Sequence, residues 1–300
     1  MDCDEPLIFA IDNRYTRDFE TLSNTSPKLM SSVPLIFDTD AAPLTIGMVH
    51  LRPLPGSPRY TDDMQAIIDA AVHDATALEA GGVDAVMVEN FGDTPFFPER
   101  VPAVTVAAMS AVMVAIRNAI RLPVGVNVLR NDGESALAIA AVTGASFIRV
   151  NVLCGARVTD QGLIPGIAHD LLRLRKNLGV DDVKILADVD VKHSAALAPR
   201  PFSDELTDLV HRGGADAVVV SGSGTGRETP RQQITDAIRI ADGVPVFIGS
   251  GVSTESLATL PIDSGGFIVG TSFKQNGQVS EPVDQARVAM FIQAIRERWN

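Results

Sequence analysis

A chain of 300 residues, 46% hydrophobic and 21% charged, carries enough apolar mass for one large globular domain or two small ones. Its net charge of −12 and pI near 4.8 disfavour nucleic acid or an anionic membrane surface as a nonspecific partner, so any anion site must be made locally. Two cysteines, Cys3 and Cys154, argue against a disulfide framework and fit a reducing cytoplasm.

The opening residues Met1-Asp2-Cys3-Asp4-Glu5 are acidic and lead into no long apolar segment, unlike a signal or transit peptide, and no stretch has transmembrane length. Residues 1–43, with Pro27, Pro34, Pro43 and two short apolar patches, read as an N-terminal extension ahead of a main domain over residues 44–300. In that domain apolar, β-branched runs fall at Thr45–His50, Ala85–Glu89, Val124–Val128, Phe147–Asn151, Val183–Val189, Ala217–Ser221, Val246–Gly249 and Phe267–Gly270. Helix-like stretches separate them: Met64–Ala80, Val104–Ile120, Glu134–Thr143, Ile167–Leu178, Asp204–Arg212, Arg231–Ala241 and Ser253–Leu260. Eight strands alternating with seven helix-like stretches over about 250 residues predict an α/β fold, a (β/α)8 TIM barrel with a parallel sheet.

An internal echo supports this reading. Leu78 to Val88, with Gly81-Gly82-Val83-Asp84, matches Val210 to Val220, with Gly213-Gly214-Ala215-Asp216, half a barrel later. The first copy is followed by a longer connection, Phe91 to Arg100, on the face where such loops shape active sites. It reads either as a lid or as a surface loop whose phenylalanines pack down.

Polar residues cluster at the strand ends. His50 ends the first predicted strand and Glu89 the second; Asn127 and Arg130 follow the third; Arg149 and Asn151 belong to the fourth. The fifth ends Asp188-Val189-Asp190-Val191-Lys192-His193, where period-two alternation puts Asp188 and Asp190 on one side, both toward the pocket. Such a set offers bases, cations and orienting amides for proton transfer. Lys192 instead suits a Schiff base if its pKa is lowered, and the carboxylates with His50 or His193 suit Mg²⁺ or Mn²⁺. No cofactor is required by the sequence. Charged strand ends also make ordinary ion pairs across a barrel mouth, and these readings stay open. Cys154 has no cation beside it in sequence and reads as a small buried apolar residue.

The Gly-rich loop Ser221-Gly222-Ser223-Gly224-Thr225-Gly226 follows the sixth strand. Gly249-Ser250-Gly251 and Gly270-Thr271-Ser272 follow the seventh and eighth, where this fold offers backbone N–H groups to a phosphate. Gly222, Ser223 and Gly224 with those two turns are the candidate phosphate cradle. The expected ligand is a phosphorylated small molecule.

Several of these segments, Ile46-Gly47-Met48-Val49-His50-Leu51, Val88-Glu89-Asn90-Phe91-Gly92-Asp93, Gly125 to Asp132, Ile148 to Leu153, Val158 to Gly162, Asp188 to His193, Gly222 to Gly226 and Gly270-Thr271-Ser272, together resemble the BtpA/SgcQ family from about residue 35 onward. The resemblance implies a barrel of the ribulose-phosphate-binding type, and in many relatives threonine at the position of Cys154. It carries over no catalytic residues. The family is named for a cyanobacterial protein implicated in photosystem I biogenesis, and a relative among carbohydrate-use genes carries a hydrolase label. Three functions are therefore expected to compete: an isomerase, epimerase or lyase acting on a phosphorylated sugar or nucleotide-like molecule; a non-catalytic assembly factor; and a metal-dependent hydrolase. Barrels also commonly associate, and a homo-oligomer stays open because nothing in the sequence marks a contact face.

Overall fold

Eight parallel strands close into a barrel in the computed structural model, which describes residues 42–299 apart from Asp62, Ser223, Thr225 and Gly226. The predicted N-terminal extension lies outside the described residues save for Ala42 and Pro43, as does Ser223 of the predicted cradle. In chain order the elements are β1 (Leu44–His50), α1 (Met64–Gly81), β2 (Ala85–Glu89), α2 (Ala103–Ala119), β3 (Val124–Asn127), α3 (Gly133–Thr143), β4 (Phe147–Val150), β5 (Ala156–Thr159), β6 (Gly162–Pro165), α4 (Ala168–Asn177), β7 (Lys184–Asp188), β8 (Ser194–Ala196), α5 (Phe202–Thr207), β9 (Ala217–Val220), α6 (Arg231–Ile240), β10 (Val246–Ile248), α7 (Thr254–Leu257), β11 (Gly266–Val269) and α8 (Gln285–Trp299). The barrel runs β1-β11-β10-β9-β7-β4-β3-β2 and back to β1, so every strand is paired on both sides and no edge is left open.

The apolar runs are continuous because both faces of each strand are buried. Alternate residues point inward and form the barrel interior: Ile46, Met48, Ala85, Met87, Phe147, Leu186, Ala217, Val219, Phe247 and Ile268. The other set, including Val86, Val126, Ile148, Ile185 and Val218, meets the helices in one larger core. Each fully buried side chain of this size contributes about 1.5–3 kcal/mol. Two bulky interior phenylalanines fit because their neighbours are glycine. A Cβ on Gly125 would stand 2.1 Å from the Phe147 ring, and one on Gly266 would stand 2.3 Å from Phe247.

The sequence echo has a structural cause. Gly82 and Gly214 both take positive φ, 94° and 65°, where the chain leaves one helix and turns into a strand. The aspartate two residues later then accepts the N–H of the neighbouring strand: Thr45 donates to Asp84 at 2.7 Å, and Ile185 donates to Asp216 at 2.9 Å. Both copies therefore solve one problem, satisfying a backbone donor where a strand enters the barrel.

Three elements depart from the predicted pattern. A small antiparallel sheet, β6-β5-β8, rises from the connections after β4 and β7. Helix α7 is only four residues long, and α8 lies beyond the predicted stretches. Lys274, in the connection between β11 and α8, is 1% exposed and ion-paired to Asp74 of α1, whose other oxygen accepts the Val283 N–H at 2.8 Å. This pair ties the last connection to the first helix.

Candidate functional site

The inward face of every barrel strand changes character at its C-terminal end. The series Ile46, Met48 continues to His50, and Ala85, Met87 continues to Glu89. Likewise Gly125 leads to Asn127, Phe147 to Arg149, Leu186 to Asp188, and Val219 to Ser221. On β10 and β11 the same step lands on Gly249 and Gly270. The last inward layer is thus six polar side chains and two glycines, and it forms the floor of the barrel's C-terminal mouth, where active sites of this fold lie.

A cavity of about 760 Å³ opens above this floor. One wall holds His50, Glu89, Arg149, Asn151 and Lys192; a second is formed by the Gly249–Ser253 and Gly270–Ser272 turns. Space at the second wall depends on glycine. A Cβ on Gly270 would stand 2.7 Å from His50 Cε1, and Gly251, at φ 69°, would place one 2.4 Å from the Glu228 backbone. Among the described residues, the backbone N–H groups of Ser250, Gly251, Thr271 and Ser272 have no protein acceptor. Their hydroxyl neighbours are partly committed: Ser250 Oγ donates to the Arg227 carbonyl at 2.9 Å, and Ser272 Oγ donates to the Val252 carbonyl. What this wall presents to a ligand is therefore chiefly backbone.

The polar wall is held by one ion pair. Arg149 binds Asp188 through both forks, Nη2 to Oδ1 at 2.8 Å and Nε to Oδ2 at 3.3 Å, and Asn151 Nδ2 donates to the same Oδ2 at 2.5 Å. Asn127 in turn donates to the Arg149 carbonyl at 3.0 Å. Burial disfavours the Arg149 cation, but the charge and hydrogen bonds of Asp188 outweigh it and hold its pKa above the ordinary value. Glu89 is buried beside them, 3.8 Å from His50 Nε2. Desolvation raises the Glu89 pKa, against the pull of Arg149 and Lys192. Lys192 Nζ donates to the Gly249 carbonyl at 2.9 Å, and its pKa is lowered to about 8, first by burial and then by Arg149. His50 packs against Phe91 with ring centroids 4.7 Å apart and the rings tilted by 45°, and burial, reinforced by the cations Lys274, Lys192 and Arg149, lowers its pKa to about 3.

That last shift has a measurable consequence. The unfolded chain takes up a proton near pH 6.5 that the folded chain refuses until about pH 3, so His50 costs stability as pH falls through that window. Replacing His50 with Gln removes the contribution. Between pH 6.5 and about pH 4 the Tm of the variant is expected to fall less than that of the wild type, by several degrees. Parallel Tm curves for the two proteins would assign the acid lability elsewhere.

Most of the polar residues chosen from sequence meet in this one cavity: His50, Glu89, Arg130, Arg149, Asn151, Lys192 and His193 line it, as do Gly249, Ser250, Gly251, Gly270, Thr271 and Ser272. Others stand elsewhere. Asp188 is on the inward face, but its side chain is fully buried behind Arg149 and does not reach the cavity wall. Asp190 does not share its direction. Strand β7 ends at Asp188, and Asp190 turns aside to pair with Arg157 at 3.2 Å, about half exposed. The expectation that both carboxylates face the pocket is corrected on this point, because strand alternation stops where the strand does. Asn127 serves the Arg149 backbone and is also absent from the cavity wall. Gly222 lies under its own loop, its N–H donating to Ser250 Oγ at 2.7 Å, and neither it nor Gly224 lines the cavity. Among the described residues no group of three or more His, Cys, Asp or Glu side chains gathers as a metal site.

Four further wall residues were not among the site residues chosen from sequence. Asp160 comes from the β5–β6 turn, Phe96 from the Phe91–Arg100 connection, Glu228 from the loop after β9, and Arg287 from the first turn of α8. The Phe91–Arg100 connection is anchored rather than loose: Asp93 Oδ1 accepts the Leu54 N–H at 2.8 Å, and the Phe97 carbonyl accepts the Arg130 N–H at 3.1 Å. Phe91, Thr94 and Phe96 face the cavity, while Phe97 is 50% exposed. Cys154 is half-buried outside this cavity, its pKa raised by burial and then by Asp208.

A model of the BtpA family matches residues 42–297. The chain belongs to that family. It is 48% identical over 252 residues to the photosystem I biogenesis protein BtpA of Synechocystis, covering 84% of this chain and 88% of that one. Solved structures share the family's barrel at low identity. A chain of Mycobacterium tuberculosis tryptophan synthase matches with a TM-score of 0.56 at 17% identity, covering 87% of this chain and 96% of the other. Phosphoribosyl anthranilate isomerase from Thermus thermophilus matches with a TM-score of 0.52 at 11% identity, over 85% of this chain and 99% of the other. No helix among the described residues is long and apolar enough to cross a membrane.

Proposed function

We propose that this BtpA-family barrel is an enzyme for a small phosphorylated sugar-like substrate, working by proton transfer in an isomerase, epimerase or lyase reaction. The observation that carries the reading is the meeting of two unlike walls in one cavity. On one side stand the unpartnered N–H groups of Ser250, Gly251, Thr271 and Ser272, suited to a phosphate. On the other stand a buried carboxyl group, a neutral imidazole and two cations. Among the described residues His50 Nδ1, Asn151 Oδ1 and Arg130 Nε have no hydrogen-bond partner. Buried polar atoms left so are costly, and a polar ligand in the cavity would satisfy them.

Roles follow from position. Glu89, with its raised pKa, is the proton-transfer group, and the neutral His50 beside it serves as hydrogen-bond partner. Arg149 stabilises negative charge developing on a substrate oxygen, with the Lys192 side chain beside it. Asp188 and Asn127 position Arg149 instead of touching substrate. His193, exposed at the mouth with φ 55°, and Arg130 are placed to meet the outer part of the ligand. A solved neighbour of the same fold is a phosphoribosyl anthranilate isomerase, which supports the substrate class.

The test is a thermal-shift series with sugar phosphates and their unphosphorylated counterparts, with and without Mg²⁺ or Mn²⁺. A phosphorylated compound at 100 times its Kd adds about 2.7 kcal/mol to native stability and raises Tm by several degrees, whereas the free sugar leaves it unmoved. Equal shifts from both, or none from either, would count against a phosphate cradle.

A second reading follows from the name of the Synechocystis relative: a factor that acts by binding a protein complex. It predicts tolerance of changes at Glu89 and Arg149 that spare the fold. The enzyme reading predicts the reverse.

A further inference from the structure

The chain has five lysines, and the four described ones divide sharply. Lys176 pairs with Asp181 at 3.1 Å, Lys184 with Asp216 at 3.6 Å, and Lys274 with Asp74. Among the described residues Lys192 makes no ion pair with a carboxylate. Its Nζ instead donates to a main-chain carbonyl, that of Gly249, which is the first residue of the cradle turn. The ammonium thus stands in the cavity between the proton-transfer wall and the phosphate wall.

We infer that Lys192 is a covalent catalyst, its amine forming an imine with the carbonyl carbon of a phosphorylated aldehyde or ketone whose phosphate lies on the Ser250-Gly251 and Thr271-Ser272 turns. The inference rests on the phosphorylated-substrate reading for the second half of that statement, and on the lysine's own surroundings for the first. A neutral amine is needed for attack, and desolvation beside a second cation is the arrangement that supplies it. Lys192 has both: its pKa is lowered to about 8 by burial and by Arg149.

The step balances without an outside reagent. Glu89, as carboxylate, takes one proton from the ammonium. The freed nitrogen lone pair then attacks the carbonyl carbon, and the C=O π pair moves to oxygen. That oxygen receives a second nitrogen proton to become the carbinolamine hydroxyl. Glu89 returns the first proton to the hydroxyl, which leaves as water while the nitrogen lone pair forms the C=N bond. One ammonium and one carbonyl thereby give one iminium and one water, with charge conserved. The iminium accepts the electrons released when a proton, or a carbon–carbon bond, at the neighbouring carbon is lost, and water then frees the amine by the reverse path.

Pyridoxal 5′-phosphate is a suitable probe because it is both an aldehyde and a phosphate ester; pyridoxal lacks the phosphate. The full-length protein is incubated with either compound, reduced with borohydride and mapped by peptide mass, alongside Lys192→Met as a control. The expected result is one reduced adduct, on Lys192, formed at least about tenfold faster from the phosphorylated aldehyde. Labelling of Lys192 at equal rates by both compounds would support the imine while contradicting the cradle. No adduct on Lys192, or labelling spread evenly over Lys176 and Lys184, would overturn the inference. In that last case a selective phosphate-ester Tm shift would still leave the cradle standing.

Discussion

Exchanging Glu89 for Gln is expected to lower turnover of the phosphorylated substrate by about 10²- to 10⁴-fold, the range for loss of a general acid–base group. The fold is expected to survive. Glu89 is 7% exposed and desolvation already raises its pKa, so a neutral amide of nearly the same shape relieves a burial cost rather than adding one. Its contact with His50 is long, 3.8 Å, and His50 is neutral near pH 7, so little attraction is given up. Tm within about 2 °C of wild type, together with a collapsed kcat, is the outcome that separates chemistry from folding. A variant that turns over normally would remove Glu89 from the mechanism and strengthen the protein-binding alternative.

The second large effect concerns stability. Arg149→Met strips the partner from Asp188, whose side chain has no exposed surface, and leaves a carboxylate buried with only the Asn151 amide to hold it. Breaking a buried pair on one side typically costs about 3–5 kcal/mol, because the remaining charge is uncompensated. For a domain of this size that corresponds to a Tm lowered by roughly 10 °C. The double variant Arg149→Met, Asp188→Asn removes the stranded charge and is expected to recover a substantial part of the loss. Additive losses in the two single variants and the double would show that the residues do not act as a pair.

These two predictions bear on how much of the molecule its sequence discloses. The barrel was legible because eight buried strands impose eight apolar runs, and the mouth residues His50, Glu89, Arg149 and Lys192 were legible because polar groups at the ends of such runs are conspicuous. The direction of Asp190 was not, since alternation predicts orientation only while the strand lasts, and β7 stops at Asp188. Nor did sequence distinguish a residue that touches the cavity from one that stands behind it. Asp188 and Arg149 look alike as charged strand ends, yet the guanidinium lines the cavity and the carboxylate holds it in place. The small sheet β6-β5-β8 escaped notice because its strands are three or four residues long and partly exposed, with Val158 and Leu163 facing solvent. Arg287 arrives from α8, whose place over the cradle is set by the closure of the whole barrel and by the Nε bond to the Ser272 carbonyl at 2.8 Å. Contacts of that kind depend on residues far apart in the chain, and no local pattern announces them.

The echo between Gly81-Gly82-Val83-Asp84 and Gly213-Gly214-Ala215-Asp216 shows the opposite case. There a short motif carries its whole structural reason, a left-handed glycine that ends a helix and a carboxylate that accepts the neighbouring strand's N–H. The loops at the barrel mouth carry no such local reason, because their geometry rests on partners far away in the chain, as where Ser250 Oγ bonds the Gly222 N–H and the Arg227 carbonyl. That is where sequence reading and structure part company most.

The most direct test of the central claim is a crystal structure of the protein with the sugar phosphate that gives the largest selective Tm shift. The account places the phosphate oxygens within hydrogen-bonding reach of the Ser250, Gly251, Thr271 and Ser272 N–H groups and turns the sugar carbons toward Glu89, Arg149 and Lys192. Phosphate density outside this cavity, or a ligand whose phosphate points to the Glu89 wall, would contradict it.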